Sequence, residues 1–285
     1  MFDYHEPTTV EDAVALLAGR DDARCLAGGL TLVAMMNTGM LQPGRVVSLR
    51  RIGDLHGIHP EGRGGLRIGA MTPHRTVAAD PRLTGANAVV RLAAASIGVP
   101  IRNVATIGGA VCQADPASDI NTALVAAGAV AEIAGPSGRR EVPVEALFVH
   151  YLTTALAADE MVTAIRLPPA GAGSVAAHDK VCRVHGDTPT ILASVALDLD
   201  GATIAAARLS IGAFGPVPLR DADADAALVG TGGDDMAIER ACAILAAKGE
   251  PPDDVRGSAA YRRLLLPRLC KRLVAGALDP REQAA

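Results

Sequence analysis

Two stretches carry the residue types best suited to holding a charged ligand: Cys-Leu-Ala-Gly-Gly-Leu-Thr-Leu over 25–32 and Ala-Thr-Ile-Gly-Gly-Ala-Val-Cys over 105–112. In each, an apolar run reads as a strand that ends in paired glycines and leads towards a helix. Glycine admits positive φ and lets a ligand approach with no Cβ in the way. Successive N–H groups in such a turn can converge on an anion without help from lysine or arginine. That matters at the second stretch, where no cationic side chain occurs between Arg102 and Arg139. One Gly-Gly pair marks a plain tight turn as readily as a phosphate site. Two such segments could grip a diphosphate from opposite sides.

The other chemistry-bearing residues give weaker signals. No Gly-x-Gly-x-x-Gly follows a strand to open a helix, and the phosphate loop Gly-x-x-x-x-Gly-Lys-Ser/Thr is absent. Gly171, Gly173 and Ala176 have dinucleotide-fingerprint spacing, but no strand feeds them and they read as a linker. His56 and His59 stand beside glycine and proline and read as exposed loop histidines, not as a helical metal pair. Asp115 and Asp119 are candidates for helix N-terminal stabilisation and for ligand contact, ahead of paired acid–base work. Lys180 is either a surface ion-pair partner or a ligand contact. Phe148 and Tyr151 are expected in the core or at a domain contact. No Ser-His-Asp or Cys-His set emerges from sequence order.

These residues need a scaffold, and 285 residues suit about two domains. A 49% hydrophobic and 20% charged composition is that of an ordinary globular protein, and a net charge of -4 argues against coating nucleic acid or an anionic membrane. Arginine far exceeds lysine, which occurs only at Lys180, Lys248 and Lys271, a bias assigned to codon composition. The five cysteines are scattered with no Cys-x-x-Cys, as expected of reduced thiols and not of an iron–sulfur cradle. With no basic leader before an apolar core and no membrane-length apolar tract, a cytoplasmic address is expected.

Thr9 caps an expected helix to Leu17, and strands are expected at Ala-Arg-Cys-Leu-Ala-Gly-Gly, Arg-Val-Val-Ser-Leu-Arg-Arg-Ile and Gly-Leu-Arg-Ile-Gly-Ala-Met. A helix spans the run from Asn87 to Gly98, and Ser118 caps another over roughly 119–127 that stops at Gly128. Further strands are expected over 129–135, 140–148 and 160–168. Residues 167–173, Leu-Pro-Pro-Ala-Gly-Ala-Gly, read as the linker. Beyond it come two strands joined at Asp200-Gly201, a hairpin turn, and then mainly helices.

The chain resembles the FAD-binding medium subunit of the molybdenum hydroxylases, the carbon monoxide dehydrogenase and xanthine dehydrogenase family. The likeness runs over nearly the whole length, and its most specific parts are Ala-Gly-Gly-Leu-Thr-Leu, the run from Ile101 to Asp119, Asp159 to Pro168, and Lys180 to Asp187. It implies an α+β protein. A two-part FAD-binding domain of the vanillyl-alcohol-oxidase type, residues 1–170 split near 55, would precede a smaller α+β domain over 177–285 with an antiparallel sheet and helices. It also implies roles for particular residues. Ala27, Gly28, Gly29, Leu30 and Thr31 would form the first flavin loop, and Thr106, Ile107, Gly108, Gly109 and Ala110 the second. Asp119 would lie near the ribityl chain, Met161 and Val162 would pack the isoalloxazine, and Lys180 would stand close to that ring.

The chain departs from the family pattern at Leu30, Ala105 and Ala110, and at His178-Asp179, where an aromatic residue often precedes the lysine. By the same resemblance, FAD sits in this chain. The molybdenum cofactor and [2Fe-2S] clusters lie on a large and a small partner subunit, in a dimer of heterotrimers. Electrons would reach an external acceptor through FAD, with no catalytic residue and no metal in this chain. A self-sufficient flavin oxidase and a flavin-free scaffold stand as the alternatives.

Overall fold

The structure, a computed structural model, describes residues 2–279. The last six residues of the expected 177–285 domain lie outside the described residues. The chain begins with β1 (Asp3–His5), α1 (Val10–Leu17), β2 (Ala23–Leu26), α2 (Leu30–Asn37) and β3 (Arg45–Ser48). The three strands form a parallel sheet in the order β1-β3-β2. Thr9 caps α1 by accepting from the Asp12 N–H, and Val10, Ala13, Val14 and Leu17 bury the stripe that the spacing predicts. By contrast α2, which reads Leu-Thr-Leu-Val-Ala-Met-Met-Asn, buries none of its residues.

The middle part holds β4 (Ile58–Glu61), β5 (Gly65–Gly69), α3 (His74–Ala79), α4 (Ala88–Ser96), α5 (Val99–Arg102), α6 (Ile107–Gln113) and α7 (Asp119–Ala126). After them come β6 (Val130–Gly135), β7 (Gly138–Pro143), α8 (Val144–Leu147), the short pair β8 (Phe148–His150) and β9 (Thr153–Thr154), and β10 (Met161–Leu167). Five strands make an antiparallel sheet in the order β4-β5-β10-β6-β7. Central β10 is covered on both sides. Met161 joins the core of the N-terminal layer and Val162 the core shared with α4, α6 and α7, as alternation along a strand requires.

The segment 168–173 leads into β11 (Ser174–Val181), β12 (Ile191–Asp200), β13 (Thr203–Gly212) and β14 (Leu219–Arg220), followed by α9 (Ala222–Ala226), α10 (Asp235–Lys248) and α11 (Ala259–Leu278). The four strands form an antiparallel sheet in chain order, and Gly201 turns the β12–β13 hairpin at φ +60°. Ile191, Ala193, Val195 and Leu197 share a core with α10 and α11. The opposite face of the sheet lies on α4 and α7, so those two helices are sandwiched between the sheets.

Three local expectations are corrected. The second Gly-Gly pair follows no strand: α5 precedes it, Thr106 makes only an isolated bridge to Pro73, and Gly108 and Gly109 lie in the first turn of α6. Thr106 explains the helix, since its side chain accepts from the Gly109 N–H and caps a turn that glycine alone would not nucleate. The expected strand over 140–148 is broken by α8, with Pro143 at its N-cap. Tyr151 is 57% exposed and so stands outside the core, one of the two places expected for it, whereas Phe148 is buried as expected.

Candidate functional site

The fold lays the two glycine segments against each other. A Cβ on Gly28 would fall 2.1 Å from the Val104 carbonyl oxygen, and one on Gly109 would stand 3.8 Å from the Ala27 Cβ. Ala27 and Gly28 thus face Val104 and Gly109 directly. Gly29 takes φ +80° as the N-cap of α2 and offers no side-chain cap. The first N–H groups of that helix, from Leu30 and Thr31 onwards, lack intrahelical acceptors and carry the positive end of the helix dipole.

The second segment differs from the cradle read in the sequence. Its N–H groups are already committed: Ile107 to the Thr72 carbonyl (3.1 Å), Gly108 to the Ala70 carbonyl (2.9 Å), and Ala110 to the Thr106 carbonyl (3.0 Å). Gly109 donates to Thr106 Oγ1 at 3.2 Å. The donor-rich wall is therefore the first segment, and the second contributes close approach through its missing side chains.

Beyond the second segment, α7 carries Asp119 in its first turn, capped by Ser118. The Asp119 side chain is 10% exposed and is held from several sides. Lys180 Nζ donates to Oδ2 at 3.1 Å, the His178 Nε2 lies 3.0 Å from Oδ1, and Ser96 Oγ donates to Oδ1 at 3.0 Å. On the far side of the imidazole, Nδ1 meets Ser194 Oγ at 2.8 Å. Burial works against the Asp119 charge, but the hydrogen bonds and charges of His178 and Lys180 outweigh it and hold the carboxyl below its ordinary value. Lys180, which the sequence left between ion-pair partner and ligand contact, is a buried ion-pair partner with 7% of its side chain exposed.

Sequence order concealed most of this cluster. His178 and Lys180 are two apart and so share one face of β11, a period-2 signal that was available. Ser194 is the cross-strand neighbour of His178, and Ser96 arrives from the end of α4. The Ser194-His178-Asp119 chain has the order of a hydrolase triad, but Ser194 is fully buried and no acyl group can reach it. His74 was also missed. It is 2% exposed, its Nδ1 has no partner, and its backbone N–H donates to the Ala105 carbonyl at 2.9 Å. Burial pushes its pKa down to about 4, against a slight upward pull from Asp119. Asn121 donates to the Ala110 carbonyl at 3.1 Å, and its buried Oδ1 is without a partner.

The remaining candidates stand elsewhere. Asp115 turns back on the Ala117 N–H at 2.8 Å instead of pairing with Asp119. His56 and His59 bond to backbone carbonyls of Arg50 and His56. Among the described residues no cluster of His, Cys, Asp and Glu is arranged for a metal ion, and all five cysteines are free thiols. Asp115 and Tyr151 instead line a cleft of about 400 Å³ between the middle part and the C-terminal sheet, with Thr188, Glu250 and Arg262 on its other walls.

Comparison with known proteins decides what this architecture is. Residues 1–170 match the model of the FAD binding domain in molybdopterin dehydrogenase, and residues 176–277 that of the CO dehydrogenase flavoprotein C-terminal domain. The chain belongs to the FAD-binding medium-subunit family of the molybdenum hydroxylases. It is 36% identical to the carbon monoxide dehydrogenase medium chain of Afipia carboxidovorans, over 96% of this chain and 95% of that one. It is 30% identical to the glyceraldehyde dehydrogenase medium chain of Sulfolobus acidocaldarius, over 92% and 93%. In structure it matches a chain of reconstituted CO dehydrogenase from Oligotropha carboxidovorans with a TM-score of 0.93 at 36% identity, covering 98% of both chains. As a medium subunit it is an oxidoreductase component with an FAD-binding domain, and its two-domain α+β fold is that of the family. No helix among the described residues is long and apolar enough to cross a membrane.

The residues present fit a flavin dinucleotide. The uncapped start of α2 offers unpaired donors to a diphosphate. Gly109 presents no side chain towards Ala27, where a Cβ would already stand in van der Waals contact at 3.8 Å.

Proposed function

We propose that this chain is the flavoprotein subunit of a cytoplasmic molybdenum hydroxylase complex. It would carry electrons from a small iron–sulfur subunit, through FAD held in this chain, to an external acceptor. The observation that carries this reading is the apposition of Ala27–Gly28 and Val104–Gly109 at the uncapped start of α2, in a chain with the medium-subunit fold. The flavin domain would be residues 1–170, in two parts divided near 55, and the C-terminal domain would begin at 177.

Bound FAD would supply the ability to take up electrons singly and release them in pairs. The protein's own part is to hold, orient and shield. Ala27 to Thr31 would bind the diphosphate through backbone N–H groups, while Thr106 to Ala110 would close the opposite wall with glycine at the point of approach. Asp119 and Lys180 would fix the ribityl and ring end. Met161 and Val162 turn their side chains into two separate cores, so they would present backbone to the ring.

Substrate chemistry would sit on a large molybdenum-cofactor subunit, within a dimer of heterotrimers. The named relatives act on different substrates, carbon monoxide and glyceraldehyde among them, with medium chains of one architecture. A chain that does not itself choose the substrate accounts for that. Free cysteines without a cluster spacing agree with a reduced compartment and with iron–sulfur centres lying elsewhere.

The test is anaerobic mixing followed by flavin absorbance. The isolated chain should be yellow and inert towards carbon monoxide, aldehydes and heteroaromatics, and the complete complex should bleach with its substrate. Rapid bleaching of the single chain would favour a self-sufficient oxidase. A colourless chain that takes up no FAD would favour a scaffold.

A further inference from the structure

Lys180 is held by a buried carboxylate that it shares. Asp119 accepts from Lys180, His178 and Ser96, and the side chains of His178 and Lys180 are 1% and 7% exposed. A buried lysine–carboxylate pair recovers its desolvation cost only when the carboxylate's remaining lone pairs are also satisfied. His178 supplies that bond from the β11 side, and its ring cannot wander because Ser194 holds its other nitrogen. The carboxylate can only accept, so Nε2 carries the hydrogen that faces it. In the neutral ring Nδ1 then accepts from the Ser194 hydroxyl.

We propose that His178 is a positioning residue: anchored by Ser194, it orients Asp119 and through it fixes the ammonium of Lys180 beside the flavin site. A phenyl ring at 178 would fill the space but could donate nothing to Asp119. The carboxylate would then keep only its bonds to Ser96 and Lys180, and its orientation, and that of Lys180 with it, would be less tightly fixed. His74, the other imidazole that feels the Asp119 charge, is not among the hydrogen-bond partners of the carboxylate. It cannot replace His178.

The first test needs no flavin. The full-length apoprotein is treated with an amine-acylating reagent, and labelling of Lys180 is followed by mass spectrometry. The wild type should label slowly, His178→Phe severalfold faster, and His178→Gln, whose amide N–H can take the place of Nε2–H, close to the wild type. Ser194→Ala, which keeps the imidazole but removes its anchor, should fall between, and it serves if His178→Phe does not fold. Unchanged labelling in both His178→Phe and Ser194→Ala, or equal acceleration in His178→Phe and His178→Gln, would overturn the assignment.

The second test rests on the flavin reading of Lys180 and uses the FAD-loaded chain. His178→Phe should shift the flavin midpoint potential, His178→Gln should restore it, and the shift should vanish in a Lys180→Met background, since a residue acting through another shows full coupling. An equal shift in both backgrounds would overturn the assignment. A chain that never takes up FAD would count against the proposed function and leave the labelling result as the judge of His178.

Discussion

Gly28 and Gly109 look alike in the sequence but are glycine for different reasons. At Gly28 a Cβ would lie 2.1 Å from the Val104 carbonyl oxygen, which is backbone and cannot swing aside. Gly28→Ala should therefore cost on the order of 1–3 kcal/mol through overpacking, seen as a lower melting temperature of the apoprotein. At Gly109 the nearest atom is Thr106 Oγ1 at 2.9 Å, a hydroxyl that can rotate away at the expense of its cap, worth about 1 kcal/mol. Gly109→Ala should keep most of its stability yet lose FAD, because its new methyl would pack against Ala27 and close the approach between the two segments. The ratio of flavin to protein after purification reads this directly. A full flavin complement in Gly109→Ala would remove the second segment from the site. Ala110→Asn should act the other way. A side-chain amide beside the same wall should slow FAD release by the equivalent of roughly 0.5–1.5 kcal/mol, measured by the rate at which flavin fluorescence appears on dilution.

At the scale of elements, α11 is fastened to the C-terminal sheet by one buried guanidinium. Arg262 is 1% exposed. Its Nη1 donates to the carbonyls of Thr190 and Ala213 at 2.6 and 2.8 Å, and its Nη2 to Asp254 Oδ1 at 2.6 Å. Arg262→Met would fill the volume but leave two carbonyls without their donor, while the Asp254 carboxylate, 35% exposed, keeps the Arg256 N–H, a loss on the order of 1–3 kcal/mol. Urea unfolding of the variant should show it as a lower midpoint, and an unchanged midpoint would mean that water replaces the guanidinium at no cost. Nothing in Ala-Ala-Tyr-Arg-Arg-Leu marks Arg262 as buried, because its carbonyl partners lie 72 and 49 residues away. Local signals fared better. Thr9, Ser118 and Gly201 act on their immediate neighbours, so their caps and turn could be read from the chain itself. Thr106 was a legible cap too, but the two glycines after it suggested a loop and hid α6. The site divides the same way: the glycine segments were legible as a pair, whereas the commitment of the second segment's N–H groups to Ala70 and Thr72 depends on a strand end some 35 residues earlier.

For the whole molecule, two buried groups, His74 in the flavin domain and Asp119 at the join between the domains, act in different pH windows. His74 lies on the flavin side, and burial lowers its pKa from 6.5 to about 4. Well above pH 6.5 the imidazole is neutral in both folded and unfolded chains and pH has little leverage. As pH falls below that, the unfolded chain takes up a proton that the folded chain refuses, so stability declines until about pH 4, where the folded ring also protonates. The full loss is on the order of 3 kcal/mol, since each pH unit of that window contributes about 1.4 kcal/mol. Asp119 acts lower. Its folded carboxyl is held below the ordinary value, so its contribution is complete above the unfolded value near ~3.9 and disappears as pH falls through the folded one. Because the carboxylate on α7 binds Lys180 and His178 on β11, that second loss is a loss of contact between the flavin domain and the C-terminal sheet. Thermal melts of the apoprotein at pH 7, 5 and 3 separate the two. His74→Leu should be nearly flat between pH 7 and 5, where the wild type declines, and should still fall at pH 3. Asp119→Asn should start lower at pH 7 and lose less than the wild type between pH 5 and 3. A His74→Leu curve parallel to the wild type above pH 5 would show that some other group governs the mild-acid window.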